Sequence, residues 1–219
     1  RPLPVSSYIL SAVTVFLGAF LIFAIQPIAG KQLLPYFGGS SSVWATSLLF
    51  FTSTLFLGYL YVYVITKFSP LMQRTVHLCL IASAGFFVLA LSIFSDGLLV
   101  LPNIEGEPFL SVLMVLALSI GIPYFLLSTT APLIQYWYGV SKGKEPYSLY
   151  ALSNAASLLA LLSYTFAIEP FIQLRLQRGV WAALFLAYAV ASVASVFSIA
   201  RVHRQTAAFR KNARVPGFR

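Results

Sequence analysis

Six long apolar stretches divide the chain, and each is long enough to cross a bilayer as a helix. A membrane span needs roughly 20 apolar residues at a rise of about 1.5 Å per residue. We expect spans at about 8–29, 43–65, 76–95, 109–135, 148–168 and 180–200. The pattern predicts an all-α integral membrane protein with six transmembrane helices in one domain, residues 1–200.

The fourth stretch carries helix-breaking residues inside its apolar run. Gly121-Ile122-Pro123 and Pro132 interrupt a segment that is already longer than a straight span requires. Each proline removes a backbone donor and crowds the preceding turn. We therefore expect the fourth span to be kinked or broken.

Two parts of the chain match each other without a gap, 105 positions apart. Each matched position pairs residues of the same or similar type: Phe20-Leu21-Ile22 with Phe125-Leu126-Leu127, Pro27-Ile28 with Pro132-Leu133, Gly38 with Gly143, Thr52 with Ser157, and Leu57-Gly58-Tyr59 with Leu162-Ser163-Tyr164. The halves are about 8–95 and 109–200. Since each holds three spans, the second enters from the opposite face, which predicts a 3+3 inverted repeat as in many secondary transporters.

The composition agrees with a lipid environment and gives the expected orientation. Of the 219 residues, 59% are hydrophobic and 9% charged, whereas soluble domains carry roughly 25% charged residues. Eleven of the 14 Lys and Arg fall on the side of the two termini. By the positive-inside rule we expect both termini to be cytoplasmic, in a membrane of the bacterial inner-membrane type.

A basic tail, residues 201–219, follows the last span. It holds six of the 14 basic residues, and five of them form the expected contact with lipid headgroups or a partner: Arg201, Arg204, Arg210, Lys211 and Arg214. Such a tail most often meets anionic lipids of the cytoplasmic leaflet. The stacking and base-reading residues that nucleic-acid binding needs are lacking, so we expect no nucleic-acid partner.

Polar residues inside spans are costly, and they are the candidate functional positions. The strongest group joins the end of the fourth span to the start of the fifth: Ser128, Thr129, Thr130, Gln135, Ser153, Asn154 and Ser157. It either lines a polar cavity beside Pro132, or its hydroxyls bond their own helices while Asn154 bonds a neighbouring helix.

A second candidate group lies at the opposite membrane face. Gln26 and Lys31 occupy the repeat-related part of the first span, and Glu169 ends the fifth. Lys31 either extends to the headgroups, guides an anionic group, or pairs with Glu169. The Glu169 carboxylate is also the group that a cationic solute would favour.

Small residues recur every fourth position in the sixth span, at Ala183, Ala187, Ala191 and Ser195. Such a stripe lets another helix approach closely, either from this chain or from a second subunit. His77 begins the third span, and we expect a structural role rather than a pigment or metal site. The sequence offers no catalytic set, metal-ligand spacing or glycine-rich cofactor loop, so we expect no enzyme activity and no cofactor.

Ordered motifs along residues 8–200 resemble a known family. They are Gln26-Pro27, Gly30-Lys31, Leu34-Pro35, Phe37-Gly38-Gly39, Val43-Trp44, Thr46-Ser47-Leu48-Leu49-Phe50-Phe51, Leu57-Gly58-Tyr59, Gly121-Ile122-Pro123, Phe125-Leu126-Leu127-Ser128-Thr129-Thr130, Ala131-Pro132-Leu133-Ile134-Gln135 and Pro146-Tyr147-Ser148-Leu149-Tyr150-Ala151-Leu152-Ser153-Asn154. Together they resemble the N-terminal membrane half of the spermidine synthase-like polytopic proteins, also described as fused major-facilitator/spermidine synthase proteins.

The resemblance implies a transporter-like bundle, half of a twelve-span facilitator, without the soluble transferase domain that such proteins often carry. We therefore expect an accessory or scaffold subunit that packs against another membrane protein. Two alternatives stay open. One is a homodimeric half-transporter for a small cationic amine-like solute, and the other is a membrane anchor for a spermidine synthase-like transferase.

Overall fold

The computed structural model describes residues 5–94, 107–142 and 146–213, and every regular element in these ranges is helical. The elements are α1 (Val5–Phe37), α2 (Ser41–Ile65), α3 (Pro70–Phe94), α4 (Pro108–Lys142), α5 (Tyr147–Ser163), a π-helical turn (Tyr164–Ile168), α6 (Glu169–Phe171) and α7 (Leu174–Ala213). Within these ranges six helical segments are long and apolar enough to cross a membrane. The protein is thus an all-α, multi-pass membrane protein, as predicted.

The first span is longer than the sequence pattern suggested. α1 continues beyond Ala29 to Phe37, with Pro27 and Pro35 inside it. It ends where Gly38 adopts a positive φ of 71° and donates its N–H to the Leu34 carbonyl at 2.9 Å. Glycine suits this left-handed position because it has no Cβ. Ser40 then caps α2 by accepting from the Val43 N–H, so the connection is one tight turn.

The fourth span is one continuous helix, so of the two predicted alternatives, kinked or broken, the broken helix does not occur. α4 runs through Pro123 and Pro132 without interruption. Proline is tolerated in membrane helices where the surrounding protein compensates for the lost backbone bond. The hydroxyls of Ser128, Thr129 and Thr130 lie just before Pro132 and donate to the Phe125 and Leu126 carbonyls of their own helix, not to the Ser128 carbonyl that Pro132 leaves without its helical donor.

The last two spans also differ from their expected ends. α5 stops at Ser163 and passes into the π-helical turn, which adds a residue to the local winding and often occurs at functional sites. α7 continues as a helix through Ala213 rather than ending near Ala200. The side chains of the predicted tail contacts Arg201, Arg204, Arg210, Lys211 and Arg214 lie outside the described residues.

Helix packing follows the predicted repeat. α2 packs against α4, and the repeat-related helix α5 packs against α1. The contact of α1 with α7 likewise corresponds to the contact of α4 with α3. Two further contacts, α1 with α4 and α3 with α7, each join a helix to its own repeat counterpart. Exchanging the halves therefore reproduces the principal contacts, with α1 and α4 at the centre of the bundle.

Gly58 permits a close contact between α2 and α4. A Cβ on Gly58 of α2 would lie 2.0 Å from Ser128 Oγ and 3.0 Å from the Ser128 backbone carbon of α4. Only a residue without a side chain fits there, since α4 backbone cannot move aside as a flexible side chain would. At this contact the Ser128 hydroxyl of α4 donates to the Thr54 carbonyl of α2 at 3.4 Å.

Candidate functional site

Two ends of the bundle carry the predicted polar groups. We call the first the Lys31 end, where α1 ends and α2 and α7 begin, and the second the Gln73 end, where α4 ends and α3 and α5 begin. Since the six spans alternate in direction, these ends lie at opposite membrane faces. The sequence predicts that the Gln73 end is cytoplasmic.

A cavity of about 600 Å³ opens at the Gln73 end between α2, α4 and α5. Its polar and aromatic lining residues are Gln135, Ser153, Asn154, Tyr59, Tyr136 and Tyr150. Gln135 is buried, while Asn154 and the three tyrosines are exposed. This volume falls within the roughly 300–1,000 Å³ of small-molecule pockets.

The predicted polar cluster is divided by the structure. Gln135, Ser153 and Asn154 line the cavity, as one interpretation of the sequence expected. The remaining hydroxyls follow the other interpretation, because each bonds a carbonyl of its own helix: Ser128 to Phe125, Thr129 to Leu126, Thr130 to Leu126 and Ser157 to Ser153. These four residues support helix backbone instead of lining the cavity.

The three tyrosines of the cavity were missed from the sequence as site residues. Tyr150 lies one turn before Asn154 on α5, so its proximity to the site was readable from helical spacing. Tyr136 follows Gln135 directly, and adjacent helix residues point about 100° apart, so the spacing did not place it at the site. Tyr59 belongs to α2, which packs on α4 only through the folded structure. Nothing in the local sequence of Tyr59 indicates that it reaches this cavity.

At the Lys31 end, Lys31 and Glu169 form an ion pair. Lys31 Nζ lies 2.5 Å from Glu169 Oε2, with 35% and 42% of the two side chains exposed. The π-helical turn immediately before Glu169 sets the position of this carboxylate beside α1. Of the three interpretations for Lys31, the structure therefore shows the ion pair, and the Glu169 carboxylate is already neutralised by a partner.

Gln26 belongs to neither end group. Its amide nitrogen donates to the Tyr124 hydroxyl at 3.1 Å and to the Ile22 carbonyl at 3.3 Å. The Tyr124 ring packs against Phe50 and Phe51 of α2. Gln26 of α1 therefore bonds to Tyr124 of α4 and joins the two central helices. It does not line the Gln73-end cavity.

A second pair of contacts relates the two ends. At the Gln73 end the Trp137 Nε1–H donates to Gln73 Oε1 at 2.7 Å. At the Lys31 end the Gln32 amide is assigned the orientation in which its oxygen faces the Arg178 guanidinium. In that orientation the oxygen accepts from Arg178 Nε at 3.1 Å and Nη1 at 3.0 Å. The repeat offset carries Gln32 onto Trp137 and Gln73 onto Arg178, so one bonded pair is the repeat image of the other.

His77 is a buried core residue at the Gln73 end. Its Nε2 lies 3.4 Å from Thr130 Oγ1, and its ring meets Trp137 edge-on at 6.0 Å. Across the residues that the structure describes, no three His, Cys, Asp or Glu side chains group as metal ligands. The surroundings of His77 are therefore those of a packed side chain between α3 and α4.

The small-residue stripe of α7 does not form one contact face. Ala183 and Ala187 are exposed and Ala191 is half-buried, whereas Ser195 is buried with its hydroxyl 2.8 Å from Thr14 Oγ1 of α1. Each step of four residues advances about 40° around a helix, so the stripe winds from the surface into the core. Only its Ser195 end packs within this chain.

Comparison with known proteins assigns no family or fold relative to this chain. No family model, curated protein or solved structure matches the chain. The resemblance to the spermidine synthase-like membrane proteins therefore stays a prediction from the sequence motifs.

Proposed function

We propose that this chain is a non-enzymatic, multi-pass membrane module that packs against another membrane protein as an accessory or scaffold subunit. The contact face is formed by α5 and the neighbouring parts of α2 and α4. The observation that carries the proposal is the exposure of the Asn154 side chain about two turns inside the fifth span, on the wall of the open cavity.

The energetic argument concerns an amide at membrane depth. Transfer of such a group into hydrocarbon without a hydrogen-bond partner costs several kcal/mol, on the order of 4–8 on alkane scales. Asn side chains in spans accordingly bond across helices or face water-filled cavities. α5 also buries the smallest share of its apolar stretch among the six spans of the described residues. A second protein that covers α5 would supply a hydrogen-bond partner for the Asn154 amide. It would also bury the exposed apolar face of α5.

The test is extraction from native membranes in mild detergent, followed by native mass spectrometry. We expect the 24.0 kDa chain to co-purify with a second polypeptide in fixed stoichiometry. Asn154→Trp should remove that polypeptide, because the bulky ring obstructs the contact face. Ser83→Trp is the matched control, since Ser83 is a small, exposed polar residue of the α3 span on another side of the bundle.

A stable particle that contains one copy of this chain and no other protein would contradict the proposal. Equal loss of the second polypeptide in both tryptophan variants would also contradict it, since the α5 face would then have no special part in the contact.

The cavity favours a second candidate, a half-transporter that works as a homodimer. The repeat-related packing of the two halves and the polar cavity at one end are features that secondary transporters share. The amine-like solute expected from the sequence relied on Glu169, whose carboxylate is paired with Lys31.

For this candidate the particle should be a homodimer of two 24.0 kDa chains. Vesicle uptake of a small amine should be lost in Asn154→Ala and kept in Ser83→Ala. Uptake that survives Asn154→Ala would reject the transport candidate. The role as an anchor for a separate transferase stays a prediction from the resemblance alone.

A further inference from the structure

The chemistry of the Gln73-end cavity points to a class of ligand. Its polar side chains, Gln135, Ser153 and Asn154, each combine a hydrogen-bond donor with an acceptor. Gln135 is buried at the α4 wall, while Ser153 and Asn154 extend from α5. The hydroxyl groups of a ligand also donate and accept, so each can form both kinds of hydrogen bond with these side chains.

Aromatic rings supply the rest of the recognition surface. Tyr59, Tyr136 and Tyr150 reach the cavity from α2, α4 and α5. A tyrosine presents a flat apolar face and a polar hydroxyl tip. Rings of this kind cover the C–H face of a cyclic ligand, while its hydroxyls bond the amides beside them.

Charge narrows the class further. Among the described lining residues, none carries a charged side chain. The amides and tyrosine faces of these residues therefore suit a neutral ligand, which needs no opposite charge from them. Tyrosine faces attract ammonium groups as well, but this cation–π attraction is strong only when the cation has lost its water.

We propose that this cavity binds a neutral, polyhydroxylated small molecule of the sugar class. The ligand stacks on the tyrosine rings and exchanges hydrogen bonds with Gln135 and Asn154. The named binding residues all belong to this chain, so the proposal goes beyond packing against another protein. Since Asn154 also lies on the proposed contact face, sugar binding is measured on the chain without its partner.

The test is saturation-transfer NMR on the full chain in lipid nanodiscs. Glycoside detergents are avoided because their sugar headgroups would compete for the site. The probes are glucose, maltose, choline and inorganic phosphate, each titrated separately. We expect saturable transfer to glucose or maltose, and none to choline or phosphate.

Matched variants locate the binding site. Tyr150→Ala and Asn154→Leu should each raise the sugar Kd on the order of tenfold, as expected for the loss of a stacking or hydrogen-bonding group. Tyr147→Ala should leave it unchanged, since Tyr147 is an exposed tyrosine of the same helix and does not line the cavity. Thermal unfolding of each variant checks that the bundle is intact.

The proposal is overturned by saturable binding of choline or phosphate in place of the sugars, or by absence of binding for all four probes. It is also overturned if Tyr150→Ala and Tyr147→Ala change the sugar Kd equally. These outcomes are independent of native mass spectrometry, because sugar binding is measured on the chain alone and partner capture is measured on the extracted complex.

Discussion

The Gln73 end and the Lys31 end are built from repeat-related positions, yet they differ in what occupies them. At the Gln73 end, Gln135 and Tyr136 line an open cavity. The repeat places Gly30 and Lys31 at the corresponding positions of the other end. There the Trp44 ring lies against Gly30, with an added Cβ only 2.9 Å from it, and Lys31 is joined to Glu169.

The difference separates what a repeat determines from what individual side chains determine. Helix pairing is shared by both halves because the apolar faces and the close-packing positions recur at one offset. The occupancy of each end depends on a few side chains that do not recur. A large ring and an ion pair occupy the repeat-related positions at one end, whereas amides and tyrosines surround a cavity at the other. An inverted repeat can thus recur in helix packing while the polar side chains at its two ends differ.

The largest expected effect comes from Gly58→Ala at the α2–α4 contact. The new Cβ would meet Ser128 at 2.0 Å, with α4 backbone close behind it, so the helices must separate. Overpacking of this kind costs about 1–3 kcal/mol, which outweighs the roughly 1 kcal/mol that alanine gains over glycine in a helix. The apparent Tm in detergent should fall clearly.

Gly85→Ala is the matched control for that substitution. Gly85 lies inside α3 and has no described atom within 4 Å of an added Cβ. Its Tm should stay the same or rise slightly. A fall as large as that of Gly58→Ala would show that glycine itself, and not the approach of α4, determines stability.

The second effect compares the two repeat-related hydrogen bonds. Trp137→Phe removes the donor to Gln73, whose side chain is 5% exposed, and leaves a buried amide oxygen unsatisfied. The expected cost is about 1–3 kcal/mol. Arg178→Met removes the donor to Gln32 at the other end, whose side chain is likewise 5% exposed, so we expect a loss of similar size. Unfolding scans of both variants measure the two losses, and a loss confined to one end would contradict the repeat relation.

How much of this was readable from the sequence depends on the range of each interaction. The six spans follow from local hydrophobicity, and the hydroxyl bonds of Thr129 and Thr130 follow from helical spacing. Gln135 and Asn154 were named together because both lie near one loop. The arrival of Tyr59 depends on the packing of α2 against α4, which no local pattern specifies. The π-helical turn was missed as well, because its extra residue has no sequence signal of its own.

The third effect tests how firmly the Lys31 end is filled. Gly30→Ala places a Cβ 2.9–3.0 Å from the edge of the Trp44 ring. A ring at the end of a side chain that is 44% exposed can move, unlike the backbone that Gly58 meets. We expect a loss below about 1 kcal/mol, together with a shift in Trp44 environment that a Trp44-only variant reports by fluorescence. A loss equal to that of Gly58→Ala would indicate that both ends are equally rigid.

The smallest effect concerns the ion pair itself. A double-mutant cycle with Lys31→Met and Glu169→Gln should give a coupling below about 1 kcal/mol, since both side chains are more than a third exposed. The coupling should weaken further from 0.05 to about 0.5 M salt because exposed charges are screened. A coupling of several kcal/mol that salt does not change would mean that this end excludes water. In that case the ion pair, rather than the Trp44 ring, would be the principal contact at the Lys31 end.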